Sequence, residues 1–179
     1  MKKTLKNVLG KGSFKPSPVF FEPSRQVEVR CALKNYRIFE HSLERLIKFY
    51  LAELGFSSAS LSLLICGQAQ SRALNKRFRH MNKATDILSF PTYNGKGLKG
   101  IQQAYLGDLA LDLPYVVKAY PRFAHTLSGE MGMLLLHGIL HLVGYHHDGP
   151  IQEKKMWVVQ NRLFSASSPL LQKPLFFRR

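Results

Sequence analysis

Acidic residues are scarce in this sequence: 11 Asp and Glu stand against 26 Lys and Arg, a formal net charge of +15 with pI near 10.1. That imbalance says little about fold but much about partners, favouring a polyanion, either nucleic acid or an anionic membrane surface. Cysteine is nearly absent. Cys31 and Cys66 are isolated in apolar surroundings, which argues against a disulfide framework or a zinc knuckle and reads as two small core residues in a reducing compartment. No apolar run approaches the roughly 20 residues of a membrane span. The Met-Lys-Lys start leads into no apolar signal-peptide core. A cytoplasmic location without a membrane role is the expectation. With no internal repeat and no linker, 179 residues at 45% hydrophobic content suit one globular domain.

Along the chain, residues 1–18 hold five lysines and no acid and read as a mobile basic tail. Extended pieces are expected at 19–21 and 26–32. Apolar residues at 39, 43, 46, 47, 50, 51 and 54 predict a helix over 38–54 closed by Gly55. Residues 61–66 predict a buried strand, and 68–79 a helix whose exposed side is basic through Arg72, Lys76, Arg77 and Arg79. Thr85 to Phe90 predicts a strand stopped by Pro91. The glycines of 92–103 predict a loop carrying Lys96 and Lys99, followed by a strand over 105–111. A short helix opens at Pro114 and ends before Pro121. A last helix is expected from about Ile151 to Phe164, and the packing of the tail from Ser165 is open. This order predicts a single α+β domain, with a small mixed four-stranded sheet packed against helices.

The chemistry concentrates in one stretch. Four of the seven histidines fall between 137 and 147. His137 and His141 are four apart, hence on one helix face, and the surrounding leucines make that helix a buried one. Thr126 or Ser128 can cap it, with Glu130 in its first turn. Gly144 permits the left-handed turn that ends a helix and can bring His147 back to the same two imidazoles. Three neutral nitrogens with no fourth protein ligand describe a catalytic zinc-type site with an open position.

The spacing His137, His141, Gly144, His147 matches the cage of the zincin-like metzincin proteases, whose first histidine is followed by the glutamate that acts as base. Here that position is Gly138. The cage is kept and the protease's base is missing, which argues against peptide hydrolysis by that route.

The runs 137–147, 74–91 and 106–111 together resemble the bacterial YbeY family, over roughly residues 20–164. The resemblance implies a single-domain, metal-dependent endoribonuclease (residues 19–164) between the basic tail 1–18 and a C-terminal tail 165–179. It further implies action on single-stranded ribosomal RNA, in small-subunit 3′-end maturation and ribosome quality control, with ribosomal RNA, the small subunit and its associated factors as partners. The family's zinc ligands fall on His137, His141 and His147, its functional arginine on Arg79. The family's usual aspartate is replaced by His146, and Asp148 is expected to take over by accepting an imidazole N–H.

Zinc held by three imidazoles makes a nucleophile available near neutral pH without a strong base, or polarises the phosphodiester. Arg79 would hold a phosphate oxygen; from the residues alone it ranks no higher than Arg72 or Arg77. Lys76, Arg77, Arg79 and Lys83 are the candidate RNA contacts, with Lys96 and Lys99 beside them. His80 reads as a surface residue, Asp86 as a turn former and Asp108 as structural. Two alternatives stay open: a ribosome-assembly or RNA-binding factor whose metal is mainly structural, and another zinc hydrolase. Oligomeric state is not legible.

Overall fold

The computed structural model describes residues 26–93, 104–120 and 126–178. The basic segment 1–18, the piece expected at 19–21 and most of the glycine-rich stretch, with Lys96 and Lys99, lie outside those residues. The chain runs β1 (Val27–Cys31), β2 (Tyr36–Ile38), α1 (Glu40–Glu53), β3 (Ser60–Cys66), α2 (Gln68–Arg79), β4 (Ile87–Pro91) and β5 (Tyr105–Asp112). It continues through α3 (Leu113–Ala119), α4 (Leu127–Leu142), α5 (Pro150–Ala166), α6 (Ser168–Leu171) and β6 (Phe176–Arg178). Four strands form one mixed sheet in the order β1-β3-β5-β4, parallel except for β4, which runs antiparallel to β5. The α+β architecture expected from the sequence is the one observed.

Strand alternation sorts the sheet's two faces. Leu61, Leu63 and Ile65 of β3, Leu109 and Leu111 of β5 and Ile87 of β4 join the large core with α1 and α4. Leu64, Cys66, Ala110 and Leu88 face the other way, toward Leu74 of α2. Gly107 is needed where β5 shifts register against β3: its φ is +135°, and a Cβ there would collide with the Phe90 carbonyl.

Helix α4 is apolar almost all round and lies against β4, β5, α1 and α5, as a helix without a polar face must. Thr126 caps it by accepting from the Gly129 amide at 2.9 Å; Ser128 instead accepts from the Leu175 amide at 3.2 Å. At its far end Gly144, φ +94°, completes a double cap: Gly144 N donates to the His141 carbonyl and Tyr145 N to the Leu140 carbonyl.

Three expectations shift. Helix α1 starts at Glu40 because Ile38 is drawn into β2, where it pairs with Phe176 of β6. That pairing, with Leu175 fully buried, packs the residues beyond 164 onto the domain. Strand β4 starts at Ile87 because Thr85 is held by a side chain of α2. Cys66 is a core residue, its thiol pushed up to about 12 by burial, whereas Cys31 is exposed at the end of the edge strand β1. No helix among the described residues is long and apolar enough to cross a membrane.

Asp112 caps α3 by accepting from the Tyr115 amide at 3.0 Å, yet its side chain is fully buried and Oδ2 has no partner among the described residues. Burial, with the charge of Asp86 adding, pushes its carboxyl up to about 6. The folded chain therefore favours the proton. That contribution is complete below the ordinary carboxylate value and is lost as pH rises through about 6. Asp112→Asn keeps the capping oxygen and cannot ionise. Relative to wild type it should gain on the order of 1–3 kcal/mol between acid and pH 8. Urea midpoints at the two pH values check this, and a pH-independent difference would refute it.

Candidate metal centre

Helical spacing puts His137 one turn from His141, and the turn after α4 returns His147 to them. One nitrogen from each lies within 4.8 Å of the others. The ring centroids of His137 and His141 are 4.7 Å apart, and those of His141 and His147 5.1 Å. His146 is not part of this trio: the group of converging nitrogens does not include it, and its ring centroid lies 6.1 Å from that of His141.

Two hydrogen bonds settle the tautomers. His141 Nδ1 lies 2.9 Å from the Tyr145 carbonyl, which can only accept, so Nδ1 carries the proton. His137 Nδ1 lies 3.0 Å from Gln160 Oε1 and donates likewise. Both Nε2 atoms then present lone pairs, and they face each other at 3.1 Å. Two acceptors at that separation repel unless a cation lies between them, and ligands about 2.0–2.1 Å from a tetrahedral zinc are themselves about 3.3 Å apart. Burial, reinforced for His141 by its neighbouring imidazoles, pushes the His141 pKa down to about 4 and lowers that of His137, keeping both neutral as ligation requires. The donor set fits a zinc-type ion. His147 is exposed, so the trio is open to solvent on one side.

The histidines share a cavity of about 240 Å³ with Arg79, Thr85, Asp86, Ser89 and Gln160. Arg79, the last residue of α2, reaches it because α2 is strapped to the loop that follows. Buried Asn75 donates to the Lys83 carbonyl at 2.8 Å, and buried Ser71 donates to the Thr85 carbonyl and accepts from its amide. Asp86 Oδ1 accepts from Thr85 Oγ1 and the Ile87 amide, which makes the turn. The other cationic candidates are placed elsewhere. Lys76 and Arg77 are exposed on α2 away from the cavity, and Lys83 lines a separate one with Arg72 and Asn82. His80 ends α2 with φ +59° and is exposed.

Asp108 is buried and accepts from the Tyr105 hydroxyl at 2.5 Å; strand alternation sets it on the α2 face, away from the histidines. Asp148 is exposed, and the ring N–H groups of His137 and His141 go to Gln160 and the Tyr145 carbonyl instead. Sequence reasoning missed both of these acceptors, as well as Ser71 and Asn75. A backbone carbonyl has no sequence signature, and Gln160 sits on another helix at no telling interval. Gly138 has a packing reason: a Cβ there would lie 2.8 Å from Leu109 Cδ2 and 2.9 Å from Ile87 Cδ1, so α4 rests directly on the sheet.

Comparison with known proteins identifies the family. The profile of the family described as Endoribonuclease YbeY matches residues 26–168. Endoribonuclease YbeY of Aquifex aeolicus is 33% identical over 144 residues, which is 80% of this chain and 93% of that protein. That of Myxococcus xanthus is 34% identical over 138 residues, 76% of this chain but 46% of that protein, so the match spans about half of that relative's length. The solution structure of a Thermotoga maritima protein shares the fold, with TM-score 0.55 over 83% of this chain and 96% of that one at 20% identity. The profile spans Arg79, the three histidines and Gln160 alike, and the chain belongs to the YbeY family of endoribonucleases, hydrolases of RNA phosphodiester bonds.

Proposed function

We propose that this chain is a metal-dependent endoribonuclease that cuts single-stranded segments of ribosomal RNA, acting in small-subunit 3′-end maturation and ribosome quality control in the cytoplasm. The observation that carries the chemistry is the pair of Nε2 atoms facing each other at 3.1 Å in a cavity that Arg79 also lines. The ribosomal setting comes from the family, and the net charge of +15 suits a polyanionic substrate.

In this reading His137, His141 and His147 hold one zinc ion. When bound, such an ion supplies Lewis acidity toward a phosphoryl oxygen and lowers the pKa of water to roughly 7. Gln160 and the Tyr145 carbonyl hold two imidazoles in the ligating tautomer. Arg79 donates to a non-bridging phosphate oxygen, positions the scissile group and offsets charge as it develops. Lys76, Arg77 and Lys83 track the flanking backbone, and the basic segment 1–18 adds a further polyanion contact.

The test is ribosomal RNA incubated with metal-loaded wild type, with Arg79→Ala and with a chelated control. Arg79→Ala is expected to cut about 10²–10³-fold more slowly, the loss typical of one transition-state donor, with metal content unchanged. Cleavage should vanish on chelation. If all forms bind RNA and none cuts it, the protein is instead an RNA-binding assembly factor whose metal is structural.

A further inference from the structure

Helix α5 reaches the metal centre through Gln160, and its outward surface carries a feature the mechanism leaves unused. Trp157, the only tryptophan in the chain, is 62% exposed, and the large apolar ring packs into neither core cluster. At 100° per residue it lies about 60° around the helix from Gln160 and about 120° from Ile151, also exposed. It therefore lies toward the Gln160 side of α5 rather than in an apolar stripe with Ile151 and Val158. Residues three apart on a helix have Cβ atoms about 5–6 Å apart, so Trp157 neighbours Gln160, whose Oε1 is 3.0 Å from His137 Nδ1. On its other side, three residues back, lies Lys154, also exposed. Lys154, Trp157 and Gln160 thus form one row: a cation, an open ring and the amide that steadies a ligand.

That row has the chemistry of a single-strand nucleotide subsite. Unpaired bases stack on exposed aromatic rings whatever their identity, while a neighbouring cation takes the phosphate. We propose that Trp157 stacks a base of the RNA strand next to the phosphate held at the histidines, with Lys154 contacting the adjoining phosphate. Trp157 is then a positioning residue that selects unpaired RNA over duplex, in which bases are already stacked on each other. The proposal rests on the endoribonuclease reading above.

The single tryptophan provides the probe. A short single-stranded 2′-O-methyl RNA titrated into the full-length, metal-loaded protein should quench the Trp157 fluorescence, and the same oligonucleotide annealed to its complement should not. Trp157→Ala should weaken binding roughly tenfold, within the range for loss of one stacked base, and Trp157→Phe should recover most of it. With unmodified RNA the alanine variant should raise KM and leave kcat nearly unchanged. Tight binding without quenching, or an affinity indifferent to Trp157→Ala, overturns the proposal and leaves the ribonuclease reading intact. So does concentration-dependent self-association that only the alanine variant loses, which assigns the ring to a protein contact. If wild type neither binds nor cuts RNA, the ribonuclease reading fails first and this one with it.

Discussion

Replacing His141 by alanine is expected to remove the bound metal and to lower RNA cleavage by at least about a thousandfold. The size follows from what is lost: Lewis-acid stabilisation is worth several kcal/mol, and each 1.36 kcal/mol is about tenfold in rate. His141 is the sharpest choice of the three. Its ring N–H donates to a backbone carbonyl, that of Tyr145, so its other nitrogen points at the neighbouring imidazole whatever other side chains do. A thermal readout accompanies the kinetic one. Metal at 1,000 times its Kd stabilises the folded state by about 4.1 kcal/mol, which in a chain of this size is roughly 10 °C in Tm. Wild type should show that shift on chelation, and His141→Ala should not. His146→Ala is the matched control, since its ring stands outside the trio; it should keep metal, shift and cleavage. A His141→Ala protein that still holds metal and cuts RNA would remove the basis for the proposed centre.

Gly138→Glu should destabilise the fold by more than about 4 kcal/mol, or prevent folding, and should create no peptidase. Read as a motif, the substitution restores the glutamate of the protease cage. Read as packing, it sets a Cβ 2.8 Å from Leu109 Cδ2 and 2.9 Å from Ile87 Cδ1, then asks a carboxylate to leave water beside them. Overpacking alone costs about 1–3 kcal/mol, and a buried charge with only the Ser89 hydroxyl, 3.3 Å from that Cβ, beside it adds several more. Gly138→Ala separates the two terms and should lose only the first. Urea midpoints measure both variants. A glutamate variant with the wild-type midpoint and activity on a peptide would show that α4 can lift from the sheet and would return the peptidase reading.

Much of the fold was legible because its signals are local. Helix α2 occupies 68–79 as its periodicity and bounds imply, and β3 lies within one residue of its apolar run. The three histidines were legible for the same reason, since spacing by four on a helix and a glycine-permitted turn are properties of a few consecutive residues. The ends that moved did so under distant partners. Ile38 left the expected helix for a strand 138 residues further on, by pairing with Phe176, and Ser71 claimed Thr85 from the expected strand.

The sequence by itself determined the donor set, the strongly basic surface and the missing protease base, since each is a matter of residue identity and short spacing. Only the tertiary structure decided which cation meets the histidines. Arg79 and its neighbours Lys76 and Arg77 carry the same charge, and the strap through Ser71 and Asn75 places Arg79 at the cavity. It likewise decided that Gln160 and a backbone carbonyl, rather than Asp148, orient His137 and His141. Such pairings join segments far apart in the chain. They arise from how α4 and α5 pack and how α4 ends, and no local pattern of residues records them.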